Sequence, residues 1–147
     1  MSMPLLLALD SGPLGQLAHP DKSRNPDLHR WFANQIQAGA IFLIPEITDF
    51  EVRRNLILES RAQSLLNLDI LAKTAVYLPI TTDDMRLAAH YWARARKTGK
   101  SVGDPKELNA DVILAAQAFA NEAVVVTDNI GHLAQFVEAR PWSTIKP

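Results

Sequence analysis

The residues best suited to chemistry in this chain are carboxylates set just past apolar segments. Asp10 closes the apolar run at residues 5–9, and Asp128 and Asn129 close the run at residues 123–126. In a parallel α/β sheet such polar endings lie along the carboxyl edge, where ligands collect. Two helical carboxylates join them. Glu51 lies in a helix that starts directly after a second apolar run. Asp111 lies in the first turn of a helix predicted over residues 110–120, where the helix dipole favours its ionised form. Carboxylates drawn together all stay ionised at low cost only when cations offset them. Hard divalent ions take oxygen ligands, and Mg2+ commonly uses a few carboxylates with water and substrate phosphates. Such a site polarises a phosphodiester, activates a water and stabilises charge on the leaving oxygen. Each residue also has a plainer reading. Asp10 starts a turn, Glu51 is solvated on a helix face, Asp111 caps its helix, and Asp128 with Asn129 makes an ordinary turn. Their joint placement is what favours a site.

The elements that must position these groups alternate along the chain. Residues 5–9 are apolar at every position, as in a strand buried on both faces. Ser11 is placed to cap a following short helix containing Leu14 and Leu17. Residues 19–27 read as a loop broken by Pro20 and Pro26. A helix over residues 28–37 carries Leu28, Trp31, Phe32 and Ile36 along one side and ends near Gly39. Residues 40–44 form the second strand. Pro45 ends it and suits the first turn of a helix over residues 46–58, which pairs with another over residues 61–74. A short strand at residues 77–80 leads to the caps Thr81, Thr82, Asp83 and Asp84. They open a long helix through Arg96, with Leu87, Ala88, Tyr91 and Trp92 towards the core. Residues 98–109 read as a loop, residues 123–126 as a strand, residues 130–135 as a turn or short helix, and residues 142–145 as a final segment. This order predicts an α/β fold: one domain over residues 1–147, a three-layer α/β/α sandwich around a small, mainly parallel β-sheet.

Composition narrows the function. The 147 residues are 48% hydrophobic and 21% charged, which excludes a disordered chain. Fifteen basic against sixteen acidic residues give a net charge of -1, which argues against a broadly basic nucleic-acid coat while leaving room for a local basic patch. With no cysteine, thiolate metal sites and cysteine catalysis are excluded. No apolar run approaches the ~20 residues that cross a bilayer, and the run at residues 5–9 is too short for a signal-peptide core. The expectation is a soluble, cytoplasmic protein with no membrane partner.

Four segments together resemble the PIN-domain nucleases, and more closely the small VapC-type ribonuclease toxins. They are Leu7-Ala8-Leu9-Asp10-Ser11; Pro45-Glu46-Ile47-Thr48-Asp49-Phe50-Glu51-Val52-Arg53-Arg54; Asn109-Ala110-Asp111-Val112-Ile113-Leu114-Ala115-Ala116-Gln117-Ala118; and Val124-Val125-Val126-Thr127-Asp128-Asn129. The resemblance implies a divalent-metal-dependent endoribonuclease in which Asp10, Glu51 and Asp111 hold Mg2+ or Mn2+. Thr127 and Asn129 orient the water or a carboxylate, and Asn129 and Asp128 stand as additional candidate ligands. A metal-activated water attacks phosphorus in line, leaving a 5′-phosphate and a 3′-hydroxyl. Ser11, Arg53 and Arg54 are candidates for substrate binding, Ser11 also for capping alone. Arg94, Arg96, Lys97, Lys100 and Lys106 contact RNA phosphates or are simply solvated. Trp31, Tyr91, Trp92 and Trp142 fit core packing better than base stacking. The resemblance further implies a cognate antitoxin and a homodimer. The chain departs from the family's pattern at His132, where many relatives carry a carboxylate.

Other classes fit less well. A haloacid-dehalogenase phosphatase needs a second aspartate where Gly12 stands, and a receiver domain needs more than one acidic residue at the first strand end. A PIN-like module that binds RNA or protein without cleaving is the remaining alternative.

Overall fold

The computed structural model describes residues 3–99 and 105–147. Its centre is a parallel five-stranded sheet in the order β3-β2-β1-β4-β5. The strands are β1 (Leu6–Leu9), β2 (Ile41–Pro45), β3 (Val76–Leu78), β4 (Val124–Val126) and β5 (Ala139–Arg140). β1 occupies the middle, with Leu7 opposite Phe42 on one side and Val124 on the other. A central parallel strand is covered on both faces, which is why its apolar residues run without alternation. Leu7 and Leu9 enter one core with Leu14, Trp31, Phe42 and Leu68, while Ala8 enters the other with Tyr91, Val112, Ala115 and Val125.

The helices are α1 (Ser11–Ala18), α2 (Pro26–Gln37), α3 (Glu46–Leu58), α4 (Ala62–Thr74), α5 (Thr82–Thr98), α6 (Pro105–Ala120) and the single-turn α7 (Ile130–Leu133). α1, α2 and α4 supply the first core and α5, α6 and α7 the second, with α3 contributing to both, so the predicted three-layer α/β/α sandwich is the observed one. The long helix α5 has the expected start: the Thr81 hydroxyl accepts from the Asp84 amide and the Asp84 carboxylate accepts from the Thr81 amide, a complete capping box. Gly39, at φ +97°, turns the chain from α2 into β2, a conformation few other residues adopt.

Several local expectations are corrected. The first helix is capped by Asp10, whose carboxylate accepts from the Ser11 amide, and Ser11 is its first residue. The third strand is Val76–Leu78 instead of residues 77–80. The stretch at residues 19–27 contains a 3-10 turn, Lys22–Arg24, and Pro26 opens α2 where it was read as a breaker. The last strand, Ala139–Arg140, precedes the segment 142–145, most of which is a 3-10 turn. Trp92 is 41% exposed, with the Arg96 guanidinium over its ring, so it is not a core residue. α6 begins at Pro105, five residues before the predicted start. Asp111 therefore sits in its second turn and draws less from the helix dipole than a first-turn residue would. Lys100 and the side chain of Lys106 lie outside the described residues.

Candidate active site

The carboxyl ends of β1 and β4 are adjacent, and one hydroxyl joins them. Asp10 accepts from the Ser11 amide through one carboxylate oxygen at 2.7 Å and from the Thr127 hydroxyl through the other, also at 2.7 Å. Thr127 is 1% exposed, and its hydroxyl accepts in turn from the Asn129 amide at 2.9 Å. Backbone pairing from the Asp10 amide to the Val126 carbonyl at 3.0 Å locks the register beneath them. The Asp10 carboxylate is thus fixed at both oxygens.

α3 and α6 bring the other two carboxylates to the same cleft, of about 520 Å3, where Glu51 and Asp111 face Asp10, Ser11 and Thr127. Their relative placement is set by fully buried Gln117 on α6. Its side chain donates to the Leu78 carbonyl at 2.7 Å and accepts from the Ile47 amide at 3.4 Å, tying α6 to β3 and to the start of α3. Burial, with the neighbouring charge of Asp10, pushes the Glu51 carboxyl up to about 7; Arg54 opposes this, and Asp111 and Glu107 add to it. Asp111 is likewise pushed up to about 7 by burial, Asp10 and Glu107. Its Oδ2 is buried and has no hydrogen-bond partner among the described residues.

Glu107 was not anticipated from sequence. It stands one turn before Asp111 on α6, lines the cleft, and raises both buried carboxyls. Its i, i+4 spacing to Asp111 becomes meaningful once the helix is taken back to Pro105. Of the polar residues after β4, Asp128 is exposed at the cleft rim, and the Asn129 side-chain amide lies 3.0 Å from His132 Nδ1. Arg54 lines the cleft, 4.0 Å from Glu51 and stacked on Phe50. Arg53 is placed apart from Arg54: its guanidinium grips Asp49 through two hydrogen bonds and Asp69 at 2.9 Å, and it does not line the cleft. Arg94 is also occupied, over Tyr91 and Phe136.

A cation fits this donor set by its chemistry: oxygen ligands, mutually raised carboxyls and one orphaned buried oxygen all gain from positive charge. Among the described residues, no three acidic or histidine side chains are gathered closely enough to enclose an ion by themselves. The fit is therefore to an ion that keeps part of its water, as Mg2+ commonly does.

The raised carboxyls also carry a stability signature. Folding keeps Glu51 and Asp111 protonated to higher pH than the unfolded chain, whose values are near 4.5 and 3.8. Their contribution is full below about pH 4 and is lost as pH rises towards about 7. In EDTA, melting temperature is expected to fall between pH 5 and pH 8, and to fall less in the Glu51→Gln, Asp111→Asn double variant. Calorimetry showing the same slope in both proteins would assign the pH dependence elsewhere.

Sheet order, layering and a carboxylate-lined cleft at the sheet's carboxyl edge define a three-layer α/β/α fold with an acidic site at its strand ends. The PIN domain family model matches residues 16–135, and the chain belongs to that family. The matched span excludes β1 and Asp10, whose place in the site rests on the geometry above. By sequence, no curated protein matches the chain. Among solved structures, the fold is similar to VapBC2 from Rickettsia felis bound to a promoter DNA fragment (TM-score 0.76, 15% identity, 94% of this chain and 99% of that one). It is similar also to FitAcB from Neisseria gonorrhoeae (TM-score 0.71, 19% identity, 95% and 99%). A third is VapBC-5 from Mycobacterium tuberculosis, a member of the VapBC family of toxin-antitoxin systems (TM-score 0.60, 22% identity, 94% and 98%).

Proposed function

We propose that this chain is a divalent-metal-dependent endoribonuclease, the toxin of a toxin–antitoxin pair, acting in the cytoplasm. The carrying observation is the convergence of Asp10, Glu51 and Asp111 on one cleft, with Asp111 Oδ2 buried and unpartnered. Those three would hold Mg2+ or Mn2+, directly or through water. When bound, the ion supplies polarisation of the phosphodiester, a more acidic attacking water and charge stabilisation on the leaving oxygen. Thr127 and the Ser11 amide hold the Asp10 carboxylate in one orientation, and Asn129 in turn fixes the Thr127 hydroxyl. Ser11 lines the cleft beside Asp10, within reach of substrate. Arg54 brings a guanidinium to the rim for an RNA phosphate. A cognate antitoxin as inhibitor and a homodimer as the working form belong to the same reading, supported by the likeness to a toxin-antitoxin complex.

Cleavage of a structured-RNA pool by purified chain, with Mg2+, with Mn2+ and with EDTA, tests the reading; metal-dependent cleavage that is lost in Asp10→Asn is the expected result. The alternative, a PIN-like module that binds RNA or protein without cleaving, draws on the absence of a tightly gathered ligand set among the described residues. A folded chain that takes up no metal and cuts no RNA would select it. Arg54→Ala is expected to weaken RNA binding about threefold to tenfold and to reduce the slope of log affinity against log salt by about 1. Its melting temperature should barely move, because an exposed pair at 4.0 Å contributes little. A binding isotherm series at several salt concentrations reads both.

A further inference from the structure

An imidazole stands behind the cleft's edge, beside Asp111, and its surroundings are specific. His132 sits on α7, whose Leu133 is fully buried and anchors that turn to the core. Its carbonyl accepts from the Gln135 side chain at 3.0 Å, so the backbone beneath the ring is held as well. The ring is largely enclosed, with 25% of the side chain exposed. Nδ1 points at two groups: the Asn129 amide nitrogen at 3.0 Å and Asp111 Oδ2 at 3.8 Å.

With the Asn129 amide nitrogen donating, Nδ1 receives that hydrogen bond with its lone pair and the ring proton sits on Nε2. With this tautomer, the Nδ1 lone pair and the buried, unpartnered Asp111 Oδ2 are both acceptors, turned towards common ground. Two acceptors in that relation repel unless a cation lies between them. Ligand atoms each about 2.1 Å from one ion stand roughly 3.0 to 3.4 Å apart at octahedral or tetrahedral angles. The observed 3.8 Å closes to that range with a small rotation of either side chain.

We propose that His132 is a nitrogen ligand of the divalent ion held at this cleft, sharing it with Asp111 and biasing the site towards first-row transition ions over Mg2+. The inference rests on the reading of the cleft as a divalent-ion site and deepens it by naming a ligand of a different element. Imidazole nitrogen favours transition ions, whereas an all-oxygen set is the usual environment of Mg2+. Asn129 becomes the positioning residue that selects the tautomer, and Thr127 fixes Asn129 through its backbone amide.

The test is Mn2+ binding followed by electron paramagnetic resonance, with no turnover required. Loss of the free-ion signal gives affinity, and pulsed spectra of the bound ion report coupling to a ligating 14N nucleus. Wild-type chain is expected to bind Mn2+ with nitrogen coupling. His132→Ala should lose the coupling and weaken Mn2+ binding about tenfold, while Mg2+ affinity, read by competition, changes by less than about threefold. His132→Asp, which supplies oxygen in place of nitrogen, should hold Mn2+ without coupling and with the preference over Mg2+ reduced. Bound Mn2+ lacking nitrogen coupling in the wild type, or coupling that survives in a folded His132→Ala, overturns the assignment and leaves the carboxylate site standing. Failure of the wild type to bind Mn2+ at all overturns both.

Discussion

Asp111→Asn is expected to abolish RNA cleavage, by on the order of a hundredfold or more, while raising the melting temperature of the metal-free chain by about 3 °C. The two effects have one source. Asp111 is half-buried, its Oδ2 is buried with no hydrogen-bond partner among the described residues, and burial, with Asp10 and Glu107 nearby, pushes its carboxyl up to about 7. An amide keeps the shape and removes the repulsion, and an amide nitrogen in the place of Oδ2 faces the acceptor Nδ1 of His132. Relief of about 1 kcal/mol is reasonable for one such group. A residue retained for stability behaves in the opposite way, losing both properties together when it is neutralised. Paired cleavage assays and thermal melts decide between them. A variant that is both less stable and inactive would make Asp111 a structural carboxylate.

Arg53→Ala should have the largest effect on stability, about 3 kcal/mol, or roughly 9 °C in melting temperature. Asp49 is buried on α3, 7% exposed, and the Arg53 guanidinium meets both of its oxygens at 3.0 and 3.1 Å. The same group reaches Asp69 on α4 at 2.9 Å and so clamps the α3–α4 hairpin. Removing it strands a buried carboxylate. Arg53→Lys should recover little, since an ammonium does not reproduce the planar fork that grips two oxygens. Chemical denaturation reads the loss. RNA affinity measured below the transition should stay within about twofold of wild type, because the group lies outside the cleft. A large drop in affinity with unchanged stability would return Arg53 to the substrate-binding role first assigned to it.

Arg53 and Arg54 show where sequence reasoning reaches its limit. They are adjacent in a basic pair, and only one points into the cleft. The distinguishing signal was the i, i+4 spacing from Asp49 to Arg53, which marks a pair along one helix face. The burial of Asp49, which makes the pair structural, depends on tertiary packing. The sheet was legible for a simple reason: β1 and β2 are buried on both faces, so every residue is apolar. β5 was not, because two residues between Glu138 and Pro141 carry no periodicity. The start of α6 was hidden by the charged, glycine-bearing stretch before it, which reads as a loop, although Pro105 within it is the first helical residue. Glu107 was lost with that turn. Asp10 stood out because strand ends converge in this class of sheet, Glu51 and Asp111 as helical carboxylates near that edge, and Thr127 only through the family resemblance. Their order of burial and the inward turn of His132 required coordinates.

The central position of β1 has a consequence for biosynthesis. Leu7 pairs with Val124, so β1 is synthesised more than a hundred residues before the β4 that joins it. The Thr127 hydroxyl that fixes Asp10 arrives later still. Closing so long a loop is slow, and contacts of this range form late in folding. A nascent chain halted anywhere before β4 therefore carries Asp10 and Glu51 without the frame that assembles them. In the RNA-cutting reading proposed above, the site is therefore complete only once β4 and Thr127 have joined the sheet.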